Sequence, residues 1–273
     1  MNTVVVGAGY TGQRVADLLP GSITLSRPAF DLDRDNVTIP RLPAGYRMLY
    51  TVPPREDAEG DPRLELLLRH LDPAPARFVY ISTSGVYGDR GGRRVDESVA
   101  PAPATARARR RLAAELLLRD WCRAHGTDLV VLRSPGIYGP GRLGLDRIEL
   151  CDPVVAEAEA GPGNRIHVDD LAACSARALD PAAPPGTYNV ADGDHRSSTS
   201  FAKAVARLAG LPEPPEISRD EAARVFSPVR LSFLNESRIL DTRRMRDVLG
   251  FAPRYADPVA GIRAALKSER SGS

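Results

Sequence analysis

Residues that commonly build metal sites and disulfide frameworks are scarce in this sequence. It contains three cysteines and four histidines, and no CxxC or HExxH spacing occurs. The odd number of cysteines fits reduced, buried thiols better than disulfides or a zinc site; they are Cys122, Cys151 and Cys174. We therefore predict neither a metal site nor a disulfide.

Long apolar runs and an excess of charge of one sign are also missing. The hydrophobic segments have the length of strands, and the initial MNTVVVGAG enters a strand without a basic leader or a cleavage site. The 37 basic and 35 acidic residues leave a formal net charge of +2, too small to favour nucleic acid or an anionic membrane. These features predict a cytoplasmic protein that binds neither nucleic acid nor a membrane.

Short β-branched segments alternate with longer segments rich in leucine and alanine. The 273 residues, 42% of them hydrophobic, can bury the core of one large domain or somewhat more. The alternation predicts βαβ units on a parallel sheet. Strands are predicted at residues 3–6, 23–26, 47–52, 78–82, 129–132, 166–168 and 187–190. Helices are predicted at residues 12–19, 62–70, 104–125, 170–179 and 200–208.

A glycine-rich loop follows the first predicted strand. The segment VVVGAGYTGQ contains GxGxxG, with Gly7, Gly9 and Gly12 just before an amphipathic segment that ends at Pro20. A tight turn needs the first glycine, close approach of the backbone to a pyrophosphate needs the second, and packing of helix on strand needs the third. The position after a strand favours a dinucleotide site over the alternative, a tight turn without a ligand.

These patterns predict an α/β fold with a doubly wound Rossmann-type parallel sheet and a small C-terminal substrate-binding cap. The alternation fades between residues 141 and 163 and again from about residue 192. We therefore expect a dinucleotide-binding core of residues 1–141, continued by residues 164–191. The cap is expected to comprise an insertion at 142–163 and the segment 192–273.

The residues about twenty positions after Gly7 distinguish between the two nicotinamide dinucleotides. A carboxylate there would bind the ribose 2′-hydroxyl of NAD, but the sequence has Ser26 and Arg27. An arginine can pair with the 2′-phosphate of NADP, a bond worth about 1.5–3 kcal/mol. We predict NADP(H), with NAD(H) as the alternative cofactor. The other role open to Arg27 is stacking on the adenine without contact to the phosphate.

Three consecutive hydroxyl residues end a predicted buried strand. They are Ser82, Thr83 and Ser84 in FVYISTSGVYG. Open parallel sheets bind their ligands at the carboxyl ends of their strands, where hydroxyls suit a carbonyl or a sugar. The alternative is that these hydroxyls only accept hydrogen bonds from loop amides.

Five segments resemble the short-chain dehydrogenase/reductase superfamily, in the extended or atypical branch that includes NAD-dependent epimerases and dehydratases. In chain order they are GAGYTG, STSGVYG, LRSPGIYGPGR, NRIHVDDLA and GTYNVAD, followed by the LG-containing LDTRRMRDVLGFAPRY. The resemblance implies that Thr83, three residues before the valine of VYG, polarises a substrate oxygen. It also implies that residues 134–141 lie along the nicotinamide end of the cofactor and the substrate cleft.

The resemblance further implies that a tyrosine–lysine dyad is missing. Members of the family carry these two residues four positions apart on one helix, and a Leu-x-x-Glu segment ends eight residues after the tyrosine. Counting back from Glu115 in RLAAE puts Arg111 at the lysine position and Arg107 at the tyrosine position. Arg111 can still bond ribose hydroxyls, but an arginine cannot give up a proton near neutral pH. Alternatively, both belong to a solvated helix face, and Arg111 pairs with Glu115.

Two loop tyrosines, Tyr87 and Tyr138, are candidates to replace the lost acid. A nearby arginine could lower the pKa of a phenol from its usual value of about 10, whereas the alternative for both is packing of their loops. Tyr138 and Arg142 mimic the dyad spacing in YGPGR, but the intervening glycines and proline break a helix. The segment HVDD offers His167 as a substrate ligand, or an aspartate that begins the next helix.

The predicted site thus comprises three sets of residues. The catalytic candidates are Thr83, Tyr87, Arg111 and Tyr138. The cofactor-binding candidates are Gly7, Gly9, Tyr10, Thr11, Gly12, Ser26, Arg27, Thr51, Val52, Pro53, Ser82, Arg111, Pro135 and Ile137. The substrate-binding candidates are Ser84, Arg107, Arg142 and His167.

Two functions fit these residues. The first is an NADP(H)-binding oxidoreductase or nucleotide-sugar epimerase/dehydratase-like enzyme that acts on a small hydroxyl or carbonyl substrate. The second is a non-catalytic NADP(H)-binding regulator or redox sensor. A serine hydrolase is not supported because the sequence has no GxSxG. The expected partner is a small-molecule substrate, and the expected state is a monomer or a homodimer.

Overall fold

The computed structural model describes residues 2–34 and 37–271. The described residues form an α/β fold in which helices cover both faces of a parallel sheet, as predicted. The strands are β1 (Thr3–Val6), β2 (Ile23–Leu25), β3 (Arg47–Tyr50), β4 (Arg77–Thr83), β5 (Arg94–Val95), β6 (Asp128–Ser134), β7 (Gly136–Tyr138), β8 (Val154–Val155), β9 (Arg165–His167), β10 (Gly186–Asn189), β11 (Glu216–Ile217) and β12 (Ile239–Leu240). The helices are α1 (Gly12–Leu18), α2 (Pro62–Arg69), α3 (Ala106–His125), α4 (Leu145–Glu149), α5 (Val168–Leu179), α6 (Ser198–Ala209), α7 (Arg219–Val225), α8 (Pro228–Leu234), α9 (Arg243–Asp247) and α10 (Pro258–Ser271).

The main sheet has six strands in the order β10-β6-β4-β3-β1-β2, all paired in parallel. Its strands are apolar on both faces because α2 and α3 pack on one face, and α1 and α5 on the other. From β1 the chain runs to β2 on one side and later to β3 on the other. Open parallel sheets bind ligands at such a reversal, and the glycine loop lies there, directly after β1.

The predicted elements agree with the observed ones to within two residues at their ends, with one difference in placement. The predicted strand at 166–168 is β9, which pairs with β7 outside the main sheet. Most of the elements that were not predicted are brief and lack a clear period; they are β5, β7, β8, β11, β12, α4, α7, α8 and α9. The longer α10 was not predicted either. The expectation of three buried thiols is also corrected, since Cys151 is exposed.

The segments outside the regular alternation pair with each other. Strand β8 lies in the predicted insertion and pairs with β11 of the predicted C-terminal cap. Val155 of β8 packs with Ala222 and Phe226 in a small apolar cluster. Strand β12 pairs with β5, which follows β4 and its loop, so the C-terminal segment also contacts the main core. The boundaries of core and cap at residues 141, 164 and 192 remain predictions.

In residues 2–34 and 37–271, no helix combines the length and the apolar character needed to cross a membrane. The same residues contain no group of three or more histidine, cysteine, aspartate or glutamate side chains arranged to hold a metal ion.

Candidate functional site

A cavity of about 490 Å³ opens at the carboxyl ends of β1, β2 and β3, and we call it the glycine-loop cavity. It is lined by residues 7–11, 25–27, 30–33 and 51–53, and by Arg63, Ile81, Arg111, Ile137 and Arg142. The predicted cofactor-binding residues line it, except for Gly12, Ser82 and Pro135. The cavity therefore lies at the reversal of strand order, where a ligand is expected.

The glycine loop combines two positions that exclude a side chain with one that leaves room. Gly7 has a φ of +93°, and a Cβ there would lie 2.7 Å from Oγ1 of Thr51. A Cβ at Gly12 would lie 2.0 Å from the carbonyl oxygen of Gly7, so only glycine permits this turn into α1. A Cβ at Gly9 would meet no protein atom within 4 Å. The backbone at Gly9 is therefore open to a bulky ligand group.

One end of the glycine-loop cavity carries an ion pair that the sequence did not predict. Asp33 accepts hydrogen bonds from Nε and Nη2 of Arg63 at 2.8 and 2.5 Å, and Nη1 of Arg63 donates to the Pro53 carbonyl at 2.8 Å. These hydrogen bonds from Arg63 hold the pKa of Asp33 below its usual value. Arg27 lies exposed on the same wall and has no hydrogen bond or ion pair to the described part of the chain.

A second cavity, of about 350 Å³, lies between the core and the cap segments. We call it the arginine cavity because four arginines and one carboxylate line it among the described residues: Arg107, Arg165, Arg219, Arg238 and Glu236. Thr83, Ser84, Pro135 and Phe233 also line it. Pro135, predicted to contact the cofactor, thus lies in this second cavity.

The two cavities adjoin along shared elements. Strand β4 contributes Ile81 to the glycine-loop cavity and Thr83 to the arginine cavity. Helix α3 contributes Arg111 to the first and Arg107 to the second, one helical turn apart. The segment 135–137 likewise lines both. The two cavities therefore meet at residues 81–83, 107–111 and 135–137.

The two arginines predicted at the dyad positions, Arg107 and Arg111, have different surroundings. Arg111 donates from Nη1 to the Ile81 carbonyl at 3.0 Å and to the Tyr80 hydroxyl at 3.3 Å, which anchors it at the cavity wall. Burial raises the pKa of that tyrosine to about 12. Arg107 stacks its guanidinium 4.1 Å from the centre of the Phe233 ring. Neither arginine lies on a fully solvated helix face, the alternative that the sequence left open.

The pair of Arg111 with Glu115, which the sequence offered as an alternative, is not formed. Glu115 is buried and accepts hydrogen bonds from Nη2 of Arg133 at 2.7 Å and from Nε of the same guanidinium at 3.2 Å. Ser82 donates to Glu115 Oε1 at 2.5 Å inside the protein, so its side chain faces away from the predicted cofactor. The sequence could not reveal the partner of Glu115, because Arg133 reaches it only when β6 packs against α3.

Thr83 and Ser84 line the arginine cavity as the substrate-site prediction expects. Oγ1 of Thr83 accepts a hydrogen bond from the Gly85 amide at 3.1 Å, which matches the structural alternative for these hydroxyls. The hydroxyl proton of Thr83 has no acceptor within residues 2–34 and 37–271. Thr83 can therefore be oriented by the loop and still donate to a ligand.

The two candidate tyrosines do not reach either cavity. Tyr87 is fully buried and donates to Oδ1 of Asn189 at 2.7 Å. Tyr138 is 3% exposed, and its ring packs edge-on against Phe201. Burial raises the pKa of both phenols, which opposes their use as bases near neutral pH. The prediction that one of them replaces the lost acid is corrected accordingly, since both pack the interior.

Two predicted substrate residues also lie outside the arginine cavity. His167 is buried, and its Nδ1 accepts a hydrogen bond from the Asp169 amide at 3.2 Å. His167 thus begins α5, a role that the sequence gave to the aspartates, and burial lowers its pKa. Arg142 lines the glycine-loop cavity, with its guanidinium 3.9 Å from the centre of the Tyr10 ring.

Comparison with known proteins agrees with this arrangement. Residues 63–191 match the NAD dependent epimerase/dehydratase family. The chain is 29% identical over 220 residues to Protein YeeZ of Escherichia coli (strain K12), which covers 78% of this chain and 72% of YeeZ. It is 30% identical over 188 residues to dTDP-glucose 4,6-dehydratase of Streptomyces niveus, which covers 66% of this chain. The aligned part is 53% of that dehydratase, about half its length.

The likeness extends to a solved structure over almost the whole fold. A functionally unknown conserved protein from Silicibacter pomeroyi DSS has a TM-score of 0.75 to this chain at 27% sequence identity. The superposition covers 98% of this chain and 99% of that one. By the family match over residues 63–191, its motifs and its fold, the chain resembles the NAD dependent epimerase/dehydratase family, within the extended short-chain dehydrogenases/reductases.

Proposed function

We propose that the protein is an NADP(H)-binding oxidoreductase or nucleotide-sugar epimerase/dehydratase-like enzyme that acts on a small hydroxyl or carbonyl substrate. The observation that carries this proposal is the junction of the two cavities, where Arg111 faces the glycine-loop cavity and Thr83 faces the arginine cavity. A nicotinamide dinucleotide supplies hydride transfer when bound. The match to the family and to a dTDP-glucose 4,6-dehydratase supports a substrate of this chemical class.

The residues of the glycine-loop cavity fit a dinucleotide. The open space at Gly9 admits a pyrophosphate, and the amides of Tyr10 and Thr11 have no acceptor within residues 2–34 and 37–271. Arg142, held over the Tyr10 ring, adds a positive charge for the same phosphates. The cavity then continues to Arg111, which sits where the resemblance puts the ribose-binding lysine.

Arg27 is the residue that we propose to bind the 2′-phosphate of NADP. The two carboxylates that share its cavity wall are already paired, because Asp33 binds Arg63 and Asp31 lies 3.8 Å from Arg34. Paired carboxylates repel a phosphate less than free ones do. Arg27, by contrast, attracts Asp33 only through space and has no hydrogen-bond or ion-pair partner within the described part of the chain, which leaves its N–H groups available to a phosphate.

Arg111 and Thr83 have complementary positioning roles in this proposal. Arg111 donates from Nη1 to the Ile81 carbonyl, and its other N–H groups are available to the ribose hydroxyls. Thr83, oriented by the Gly85 amide, donates to the substrate oxygen and holds the reacting carbon at the junction.

The cofactor part of the proposal is tested by calorimetric titration with NADPH and NADH. We expect the parent to prefer NADPH, and Arg27→Ala to lose about tenfold or more in NADPH affinity with little change for NADH. Arg41→Ala is the matched control, since Arg41 is exposed and outside the cavity lining. Equal affinities in the parent would overturn the NADP preference. Absence of saturable binding of either dinucleotide would overturn the function.

A second function, a non-catalytic NADP(H)-binding regulator or redox sensor, is favoured by one observation. Tyr87 and Tyr138 are buried outside the cavities, and the resemblance puts arginines at both positions of the dyad. The two functions are separated by following NADPH oxidation with a panel of keto sugars, aldehydes and quinones. Turnover of any member supports the enzyme, whereas cofactor binding without turnover across the panel favours the regulator.

A further inference from the structure

We propose that the arginine cavity binds an oxyanion of the substrate, a carboxylate or a phosphate ester, through Arg107 beside the Thr83 hydroxyl. This inference rests on the proposed function, because it places the substrate in the cavity that adjoins the cofactor site. It adds the chemical class of the substrate and a specificity-determining residue that stands at the position of the family's tyrosine.

The first support is the unmet charge of Arg107. In residues 2–34 and 37–271 it has no ion pair and no hydrogen-bond acceptor, and its described contact is the Phe233 ring. Partial burial lowers the pKa of Arg107, and the attraction of Glu236 offsets this only in part. An anionic ligand would supply the hydrogen-bond acceptor that the described residues do not offer to Arg107.

The second support is the balance of charge around the cavity. The one described carboxylate in its lining, on Glu236, already binds Nη1 and Nη2 of Arg238 at 3.0 Å each. Arg219 reaches carbonyl and amide oxygens of the described residues only at 3.4 to 3.5 Å. Arg165 forms an ion pair with Asp194 outside the lining at 3.2 Å. The positive excess of the cavity wall therefore rests on Arg107 and Arg219, and it concentrates anions.

The third support is the direction in which Arg107 can bind. The Phe233 ring covers one face of the guanidinium, so its N–H groups, which lie in the guanidinium plane, remain for an oxyanion. Planar bidentate pairing of this kind suits a carboxylate or a phosphate. Since Thr83 and Arg107 line the same cavity at the junction, the oxyanion lies close to the reacting carbon. The substrate is thus an acid or a phosphate ester whose reacting hydroxyl or carbonyl is near the anionic group.

The test is an anion titration of the protein saturated with NADP⁺, so that the glycine-loop cavity is filled. Malonate serves as the carboxylate probe and inorganic phosphate as the phosphate probe, with chloride at equal ionic strength as the reference. Thermal unfolding reports binding. We expect a saturable rise in Tm in the parent, a loss of affinity of about tenfold or more in Arg107→Gln, and a smaller loss in Arg107→Lys.

Arg109→Gln is the matched control, because Arg109 lies on the same helix, is exposed and donates to the Ala104 carbonyl. The Arg109→Gln variant should bind both anions with the same affinity as the parent. The stronger of the two probes identifies the source of the oxyanion. An equal response of Arg107→Gln and the parent to both probes would overturn the inference.

Failure of the proposed function would show separately, as no NADP⁺ binding in the parent. The anion titration then compares Arg107→Gln with Arg27→Gln, because Arg27 lines the other cavity. Loss of anion affinity in the first variant alone still supports the oxyanion site. Loss in the second variant alone contradicts it.

Discussion

Glu115 of α3 and Arg133 of β6 form a buried ion pair, with Nη2 of Arg133 2.7 Å from Oε2 of Glu115 and the two side chains 4% or less exposed. The guanidinium of Arg133 also lies 4.8 Å from the centre of the Tyr87 ring. The pair holds α3 against the carboxyl half of the sheet. Because Arg107 and Arg111 lie on the same helix, it also fixes where these two arginines meet the cavities.

Glu115→Ala should destabilise the protein by about 3–5 kcal/mol, because Arg133 would remain buried without its counter-charge. The change is measured as the free energy of unfolding in urea. Replacing both residues, as in Glu115→Leu with Arg133→Leu, should recover most of the loss, since it leaves no unpaired charge. A double variant as unstable as the single one would show that the pair is not the cause.

The glycine loop gives a pair of variants with different expected effects. Gly9→Ala should fold normally, because its Cβ meets no protein atom within 4 Å, but it should weaken NADPH binding about tenfold or more by intruding on the pyrophosphate. Gly12→Ala should lose stability as well, because its Cβ would lie 2.0 Å from the Gly7 carbonyl oxygen. Calorimetry and thermal unfolding of both variants separate these effects. Unchanged NADPH affinity in Gly9→Ala would contradict the assigned pyrophosphate position.

Arg63→Ala should weaken NADPH binding several-fold more than NADH binding. The substitution frees the carboxylate of Asp33, which now accepts two hydrogen bonds from Arg63, and leaves it to repel a 2′-phosphate near Arg27. The comparison is made by titration with both dinucleotides. Asp33→Asn in the Arg63→Ala background should restore the preference for NADPH; if it does not, Arg63 acts by another route.

Asp192 should make stability depend on pH. Burial raises its pKa to about 7 against the attraction of Arg165, so the folded state binds the proton more tightly than the unfolded state. The free energy of unfolding should therefore fall as pH rises from about 4 to about 8. Asp192→Asn should gain on the order of 2–4 kcal/mol relative to the parent over this window.

Asp194 serves as the control, because its pKa is shifted in the opposite direction to that of Asp192. The side-chain hydrogen bond from Arg196 and the charges nearby outweigh burial and lower its pKa, so its stabilisation is present at neutral pH and is lost in acid. Asp194→Asn should thus be less stable than the parent at neutral pH and approach it as the pH falls below about 4. Parallel pH profiles of both variants and the parent would refute the two assignments.

Replacing either candidate tyrosine, Tyr87 or Tyr138, with phenylalanine should leave the rate of any turnover unchanged. The Tyr138 hydroxyl is buried and has no hydrogen-bond partner within residues 2–34 and 37–271, so Tyr138→Phe should be neutral or slightly stabilising. Tyr87→Phe should cost about 1 kcal/mol, because it removes the bond to Asn189. Steady-state rates and urea unfolding check both variants. A loss of kcat in either variant without a loss of stability would restore its catalytic role.

Structural features that depend on residues close together in the chain could be predicted from the sequence. The spacing of Gly7, Gly9 and Gly12 and the alternation of apolar segments specify local backbone conformation, and the sheet and loop followed from them. The pairs Asp33–Arg63 and Glu115–Arg133 join residues 30 and 18 positions apart. They form only when strands and helices pack, and no short pattern marks them.

The sequence by itself determined the parallel α/β sheet and the glycine loop after the first strand, and through the resemblance it predicted arginines at the positions of the tyrosine–lysine dyad. Only the tertiary structure decided that Arg107 and Arg111 face different cavities and that Tyr87 and Tyr138 face neither. The physical reason is that spacing along the chain sets the direction of the backbone, whereas access of a side chain to a ligand depends on what packs over it. For Tyr138 that cover comes from residues such as Phe201 of α6, far along the chain.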